Sequence, residues 1–578
     1  LYVQDKANAT AVPFASFQYK AGGLLSTAVG DKEGKTEIKN VQFPLTVSIS
    51  AIGFETKKFK LAEKELVKTG QILTYTVLLN KAVVAIPDIV ITGQNAPVLA
   101  TQSVYKVNTI SSAQIAQRAA VSLNDVLNYE MNNFVSNDNI LGSSLSIGGI
   151  GGQNVKILVN GIPLTGRENG NIDLGQINMN NVKRIEMIQG PMSVIYGSNA
   201  LGGVINVITH QGGKQFNGGL KTYMESVGRY NISGNLSSSK KRHSLQTSFA
   251  RNFFQGWTPE DGGDRFQLWK PKTQYLADLQ YNYTFKLGKL TYYGSYLNEK
   301  ITNKGTPIIN PYEGYAFDEY YRTQRNIQSL SAELNVSKFE KVNLLQSFST
   351  YHRTKNRFKK DLVTLTQTET KSEGDQDTTR FNNVNLRGTV SSSRIKNMDL
   401  LAGYEYGYEA GKSYKLSTDK QDIAEIGLFV SLLYKNKKLN IQPSFRYIYN
   451  NRYASAFTPA LHTKFDISSN SQLRASYARG FRTPAMKELY LQFIDQNHTI
   501  IGNPDLKPEI GDHYEIGFEH LKKIGNSTLT LNVTTFHNEI KNLISLAVYN
   551  NHGVLRKYSN IARYNNWMLN TQAKWKNK

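Results

Sequence analysis

Ile185-Glu186-Met187-Ile188-Gln189-Gly190-Pro191, followed by Tyr196-Gly197-Ser198-Asn199-Ala200-Leu201-Gly202-Gly203-Val204-Ile205-Asn206-Val207-Ile208-Thr209, closes the stretch on which the reading of this chain turns. The stretch opens at Ile147 with a glycine knot, Gly148-Gly149-Ile150-Gly151-Gly152. It continues through the apolar run Val155-Lys156-Ile157-Leu158-Val159 and the turn Asn160-Gly161-Ile162-Pro163. Short apolar runs bounded by glycine turns predict buried strands in a compact mixed α/β unit. The sequence before it reads as small and globular. The sequence after it reads as strand, turn, strand, loop to the end, so Ile147–Thr209 is the join between a soluble part and a long β part.

Bulk properties bound the class. At 578 residues more than one domain is expected. Mean hydropathy is −0.42, and no run of about 18 apolar residues is present, so no transmembrane helix is predicted. A β-barrel is not excluded, because it spans with alternating residues; the 33 Tyr and 25 Phe suit its aromatic girdles. The absence of Cys removes disulfides and thiolate metal sites. No signal peptide is visible at Leu1, so export is expected to precede this form. A net charge of +23 favours anionic partners. The basic residues are scattered through turns such as Ser239-Lys240-Lys241-Arg242 and Lys435-Asn436-Lys437-Lys438, which points to a solvated or lipid-facing rim and not to a nucleic-acid groove.

Residues 1–80 form the first unit. Leu45-Thr46-Val47-Ser48-Ile49-Ser50 alternates as a half-buried strand does, and Leu73–Leu79 is its last strand. Residues 81–102 are a linker holding Ile86-Pro87-Asp88-Ile89-Val90-Ile91-Thr92-Gly93, a β-prone run between Pro and Gly. It is either an edge strand or a segment to which a partner adds a strand. Ser111–Asn128 reads as one helix, capped by Ser111 or Ser112, with Ile115, Ala119, Leu123, Val126 and Leu127 on one face. Asn128–Asn139 reads as a loop. From Phe216 the chain is β-rich, with roughly 16 strands. Gln274–Phe285 and Leu290–Lys300 flank the turn Lys286-Leu287-Gly288-Lys289. Short turns fall at 238–242, 286–289, 435–438, 468–471 and 523–527; longer connections fall at Gln255–Lys272, Thr302–Tyr321 and Asp361–Thr379. Short turns at one end and long loops at the other describe a transmembrane antiparallel β-barrel.

With these residues in view, the chain resembles the TonB-dependent outer-membrane receptors of the Bacteroidetes type, whose N-terminal module is a carboxypeptidase-regulatory-like β-sandwich. The resemblance rests on Asp88–Gly93, on the close from Gly190-Pro191 to Asn206, and on two barrel boxes, Tyr477-Ala478-Arg479-Gly480-Phe481-Arg482-Thr483-Pro484 and Gly502-Asn503-Pro504-Asp505-Leu506-Lys507-Pro508-Glu509. It implies a mainly β chain: a β-sandwich over 1–80, a linker over 81–102, a plug domain over 103–215 and the barrel over 216–578. The barrel has 22 strands in the family, so this one is expected to be truncated at its C-terminus. The family often has Arg where this chain has Gly148 and Gln189, so plug–barrel ion pairs are not implied at those two places.

The resemblance also implies function. Asp88, Ile89, Val90, Ile91, Thr92 and Gly93 would couple to TonB in the periplasm, on the side that the N-terminal domain and plug face. The protein would transport a scarce nutrient, haem or another iron complex, without acting as an enzyme. Cobalamin transport is the alternative, as is a surface receptor or envelope-complex component that does not transport. Expected partners are TonB, outer-membrane lipid and lipopolysaccharide, a small iron-containing ligand, and a surface lipoprotein or larger envelope complex; no nucleic acid is expected. No cofactor is required, and no nucleophile–base arrangement is legible. His498, between the two barrel boxes, is the position where haem receptors carry an axial ligand, and it would bind metal only through haem iron. Residues 1–209 contain no His, so Tyr129 or Met131 would stand in from the plug. Tyr312, Tyr315, Tyr320 and Tyr321 could stack on a planar ligand. Phe481, Arg482, Pro484, Asn503, Pro504, Asp505 and Leu506 are the motif residues. Arg482 is expected to pair with Glu488, and Asp505 and Glu509 to be structural.

Overall fold

The computed structural model describes residues 1–6, 8–21, 24–38, 41, 43–51, 54, 56–69, 72–80, 89–93, 98–130, 132–167, 171–212, 216–259, 265–372, 374–413, 415–416, 420–453, 455–494, 499–525, 527–548 and 555–577. The chain divides into two units, Leu1–Pro87 with the last three residues, and Asp88–Trp575.

The first unit holds a four-stranded sheet in the order Leu24–Val29, Ser16–Ala21, Leu45–Ser50, Lys57–Leu61. Tyr2–Asp5 pairs in parallel with Thr76–Leu79. The alternation read in Leu45–Ser50 is real: Leu45, Val47 and Ile49 enter a core with Val3, Phe17, Leu61 and Val77. The strand expected over Leu73–Leu79 is two, Ile72–Thr74 and Thr76–Leu79, which pair with different partners on either side of Tyr75.

In the second unit, the sheet of the organising stretch has five strands in the order Val107–Ser111, Val182–Gln189, Gly203–Thr209, Val155–Val159, Ile162–Pro163. Every residue of Gly203–Thr209 is buried, which is why that run is apolar without alternation. Its core takes in Ile157, Ile185, Ile205 and Val207 together with Leu123 and Leu127. Gly190 turns with φ = +80°, and a Cβ there would lie 2.7 Å from the His513 ring. Only glycine meets both conditions.

Two expectations here need correcting. The single helix over Ser111–Asn128 is two, Ser112–Gln117 and Leu123–Leu127, capped by the Ser111 and Ser122 hydroxyls. The chain reverses at Ala119 (φ +49°), and the Asp125 carboxylate takes the amides of Val121 and Ser122 at 3.0 and 2.8 Å. A second cap therefore starts a second helix, and Ala119 lies on no helical face. Asn128–Asn139 is not all loop, because Asn133–Asp138 pairs with Gly142–Ile147. In the linker, Ile89–Val90 pairs with Val98–Leu99; residues 81–88 and 94–97 lie outside the described residues.

The remaining sheet contains twenty strands. Four are two- or three-residue pieces in the long connections, leaving sixteen that form a wall from Asn217–Glu225 to Leu555–Lys576. Among the described residues these two edge strands are not paired with each other. The pattern along each strand is inverted relative to a water-soluble protein. In Leu439–Asn450, Phe445, Tyr447 and Tyr449 are exposed while Ser444, Arg446 and Asn450 are buried. Apolar outside and polar inside is what a lipid-facing wall around a filled lumen requires. Tight turns join the strands at one end, as at Phe285/Gly288 and Ser468/Ser471, and the long connections are at the other. The connection expected over Thr302–Tyr321 is shorter than predicted, because Gly314–Asn335 is one 22-residue strand. Tyr315, Tyr320 and Tyr321 are thus strand residues, and the loop is only the segment between Lys304 and Gly314.

Candidate functional site

The inner sheet unit fills the wall and is tied to it by polar groups. Asp125 meets Arg229 at 2.9 Å, Gln176 donates to Glu299 at 2.8 Å, and Arg387 donates to the Ile195 carbonyl at 2.7 Å. Lys156 donates to the Tyr196 carbonyl and lies 3.9 Å from Glu405, whose other oxygen accepts from Arg387 and Arg446, each at 3.2 Å. Burial pulls the Lys156 ammonium below its usual range, opposed by the charges of Glu405 and Glu425. A cavity of about 190 Å³ opens beside this cluster, lined by Lys156, Arg167, Glu405, Glu409, Glu425 and Met486. Arg167 donates to the carbonyls of Gly152 and Val155 at 3.0 and 2.9 Å, and burial brings its guanidinium down to about 10. At Gly148, where no charge is available, the Asn566 amide donates to the Gly148 carbonyl at 2.9 Å instead.

At the long-loop end, the strand Glu340–Asp361 carries Arg353, Lys355, Arg357 and Lys359 at every second position. Arg353 donates to the Ile140 carbonyl of the plug at 2.7 Å, which fixes this face as the lumenal one. The cross-strand partners of Lys359 and Lys355 are Phe317 and Tyr321, and Tyr315 faces Asp361. Arg357 lies 4.4 Å over the Phe317 ring, Lys359 4.1 Å over Tyr315, and Arg353 5.3 Å over Tyr321. Glu319, Asp375 and Glu313 salt-bridge Lys355, Arg357 and Lys359 at 3.1, 3.0 and 2.9 Å. The result is a ladder of cations stacked on aromatic faces and steadied by carboxylates, open to the outer mouth. Sequence reasoning missed it, although the period-two basic run in Tyr351–Lys360 was a usable signal.

At the opposite side of the plug, the segment proposed for coupling is held against Val182–Gln189. The amides of Ile91 and Thr92 donate to the Glu186 carboxylate at 3.0 and 2.7 Å, and the Gly93 amide donates to the Tyr196 hydroxyl at 2.9 Å. Arg184 closes on Glu186 at 2.6 Å.

Comparison with known proteins now bears on this arrangement. Residues 100–204 match the TonB-dependent receptor plug domain, and residues 227–575, more than half of the chain, match the TonB-dependent receptor-like β-barrel. The chain belongs to the TonB-dependent receptors. It is 24% identical over 431 residues to the iron-regulated outer membrane virulence protein of Vibrio cholerae, covering 70% of this chain and 61% of that protein. It is 22% identical to the vitamin B12 transporter BtuB of Photobacterium profundum, covering 68% of this chain and 59% of that one. The chain thus spans about three fifths of the length of these curated relatives. The fold is shared with the siderophore receptor PirA of Acinetobacter baumannii (TM-score 0.67, 15% identity, 82% and 78% of the two chains). It is shared too with the Serratia marcescens hemophore receptor HasR, solved with its hemophore and heme (TM-score 0.66, 15% identity, 82% and 80%). As a member of this family the chain is an outer-membrane receptor and not an enzyme.

Within this receptor the residues singled out from sequence scatter. His498, Met131 and Asp88 lie outside the described residues. Tyr129 is exposed, with Arg118 5.6 Å over its ring. Tyr312 is 96% exposed at a loop tip, while Tyr315 joins the basic ladder. Of the motif residues, Arg482 is 1% exposed and donates to Glu488 at 2.8 Å and Glu509 at 2.5 Å. Phe481 and Leu506 are buried, and the Pro484 carbonyl accepts from the Tyr453 hydroxyl at 3.3 Å. In the Asn503-Pro504-Asp505 turn it is Asn503, not Asp505, whose side chain takes the turn amide, that of Asp505 at 3.1 Å.

Proposed function

We propose that this receptor carries out TonB-dependent uptake of a multiply anionic iron complex bearing aromatic groups. The ladder of Arg353, Lys355, Arg357 and Lys359 against Tyr315, Phe317 and Tyr321 carries this reading, since it offers charge and ring faces together on the lumenal wall. The domain assignment (β-sandwich 1–80, linker 81–102, plug 103–215, barrel 216–578) and the Bacteroidetes-type carboxypeptidase-regulatory-like module belong to the same proposal, supported by the four-stranded sheet of the first unit. Asp88–Gly93 is the TonB-coupling segment in this scheme. The test is binding of a ferric tris-catecholate, haem and cobalamin to the purified receptor and its Arg353→Gln/Arg357→Gln variant. Tight binding of the ferric complex, at least tenfold weaker in the variant, is expected. Binding of the other two alone, undiminished in the variant, overturns it.

Haem is the second reading. The strands Gln492–Ile494 and Thr499–Ile501 form a hairpin in the outer connection, and His498 falls in sequence between them, where an imidazole can serve as an axial ligand. Haem added to the wild type and to His498→Ala should then give different Soret bands; identical spectra remove the role.

A further inference from the structure

The tight-turn end of the wall is basic. Seven turns close it, and six of them carry an exposed lysine at or beside the tip: Lys241, Lys286, Lys338, Lys396, Lys438 and Lys523. The seventh turn, Ser469-Asn470, is neutral. Carboxylates near these turns are already engaged. Glu333 is held by Lys289 at 3.2 Å, Glu340 by Arg394 at 2.8 Å, and Asp399 by Lys435. Among the described residues no carboxylate pairs with any of the six lysines.

Two of these turns form a cleft with the plug. Lys437 and Lys438 from one turn, Ser469 and Asn470 from another, and Thr101 and Gln102 of the plug line a cavity of about 540 Å³. Two acids also line it, and both are occupied: Lys464 closes on Asp466 at 2.9 Å, and Gln472 donates to Glu519. Lys437 and Lys438 have no carboxylate partner among the described residues. Because Thr101 and Gln102 belong to the plug, the cleft opens on the lumenal side of the wall, away from the lipid around it.

The tight turns of an outer-membrane barrel face the periplasm. Neighbouring tight turns are two strands apart, about 10 Å at about 4.8 Å per strand, so the lysines form a repeating row. A repeating row of unpaired cations is matched by a polymer that presents carboxylates at a repeat. A single short acidic segment would meet only one or two of them. We propose that this rim, anchored at the Lys437–Lys438 cleft, docks on the carboxylate-bearing peptides of the periplasmic cell-wall polymer. The carboxylates neutralise the lysines through charge-assisted hydrogen bonds, and Ser469, Asn470 and Gln472 offer hydrogen bonds to amides and sugar hydroxyls. Docking at this end does not depend on which cargo enters at the other.

The test is co-sedimentation of the full chain, in nanodiscs of neutral lipid, with purified cell-wall sacculi. The wild type should be retained, and retention should weaken as salt rises. Sacculi whose carboxylates have been converted to amides should retain at least fivefold less. Lys437→Gln/Lys438→Gln should lose at least fivefold on native sacculi while cargo binding is unchanged. Equal retention by native and amidated sacculi, or undiminished retention of the double variant, overturns the proposal. Beads coated with polyglutamate at the same carboxylate density, or phosphatidylglycerol vesicles, should retain the wild type at least fivefold less than sacculi. Either doing so equally well overturns the assignment to the wall, in favour of an acidic protein or of lipid. Should the double variant fail to insert, Asn470→Glu carries the comparison: a carboxylate added to the same cleft should lower retention about threefold, and no loss overturns the proposal.

Discussion

The backbone amide of Thr92 donates to the carboxylate of Glu186 at 2.7 Å, with both residues fully buried. The segment proposed for TonB coupling is therefore held as part of the plug, and releasing it would mean giving up charge-assisted hydrogen bonds. Such bonds contribute about 1.5–3 kcal/mol each, against about 0.5–1.5 for neutral ones. Glu186→Gln should weaken the hold by about 2 kcal/mol. Hydrogen exchange at Ile91 and Thr92 should accelerate roughly 30-fold, with the barrel amides unaffected. Unchanged exchange at these two amides would show that Glu186 does not hold the segment.

Asp125 links the plug to Arg229 of the wall. Burial raises its pKa, but the Arg229 hydrogen bond and charge and the amides of Ser122 and Val121 outweigh that, and the carboxyl ends below its ordinary range. A depressed folded pKa stabilises above the unfolded value and is lost as pH falls through the folded value. Plug docking should be level from pH 7 to about 5 and weaken below about pH 4. Asp125→Asn should abolish this acid limb, as read by thermal unfolding across pH.

Phe317→Leu keeps bulk at the ladder but removes the ring beneath Arg357. A cation–π contact contributes about 0.5–2 kcal/mol, so affinity for an anionic aromatic iron complex should fall about fivefold or more, with little change in the melting temperature. A fall in stability with unchanged affinity would make the ladder structural.

Gly190→Ala forces a side chain into a left-handed backbone position against the His513 ring. The expected cost is about 2–4 kcal/mol. His513→Ala placed on top should recover the steric part and leave the backbone part, a separation that a double-mutant cycle reads directly.

What was legible in the sequence follows from periodicity. The barrel strands were visible because each alternates, and tight turns such as Lys286–Lys289 punctuate them. The plug close was visible because buried strands are apolar without interruption. The reversal at Ala119 was hidden, since nothing in Ala119-Ala120 disfavours a helix; the break comes from a serine cap and the Asp125 carboxylate together. The ladder was hidden for a different reason. Arg353 to Lys359 alternate as plainly as any strand, but without the wall's register no ring is known to lie under each cation, and the run looks like solvated charge. Pairing of Arg482 with Glu488 was readable from proximity in sequence; its second partner, Glu509, is 27 residues on and was not.

One short helix, Ser193–Tyr196, has a consequence for how an event outside is felt inside. Ser198, just past its end, accepts the Thr483 amide of the outer barrel box at 3.1 Å. Tyr196, two residues earlier, holds the Gly93 amide. The outer barrel box and the segment proposed for TonB coupling are thus hydrogen-bonded to residues two apart in one turn, so displacing that turn would disturb both contacts at once.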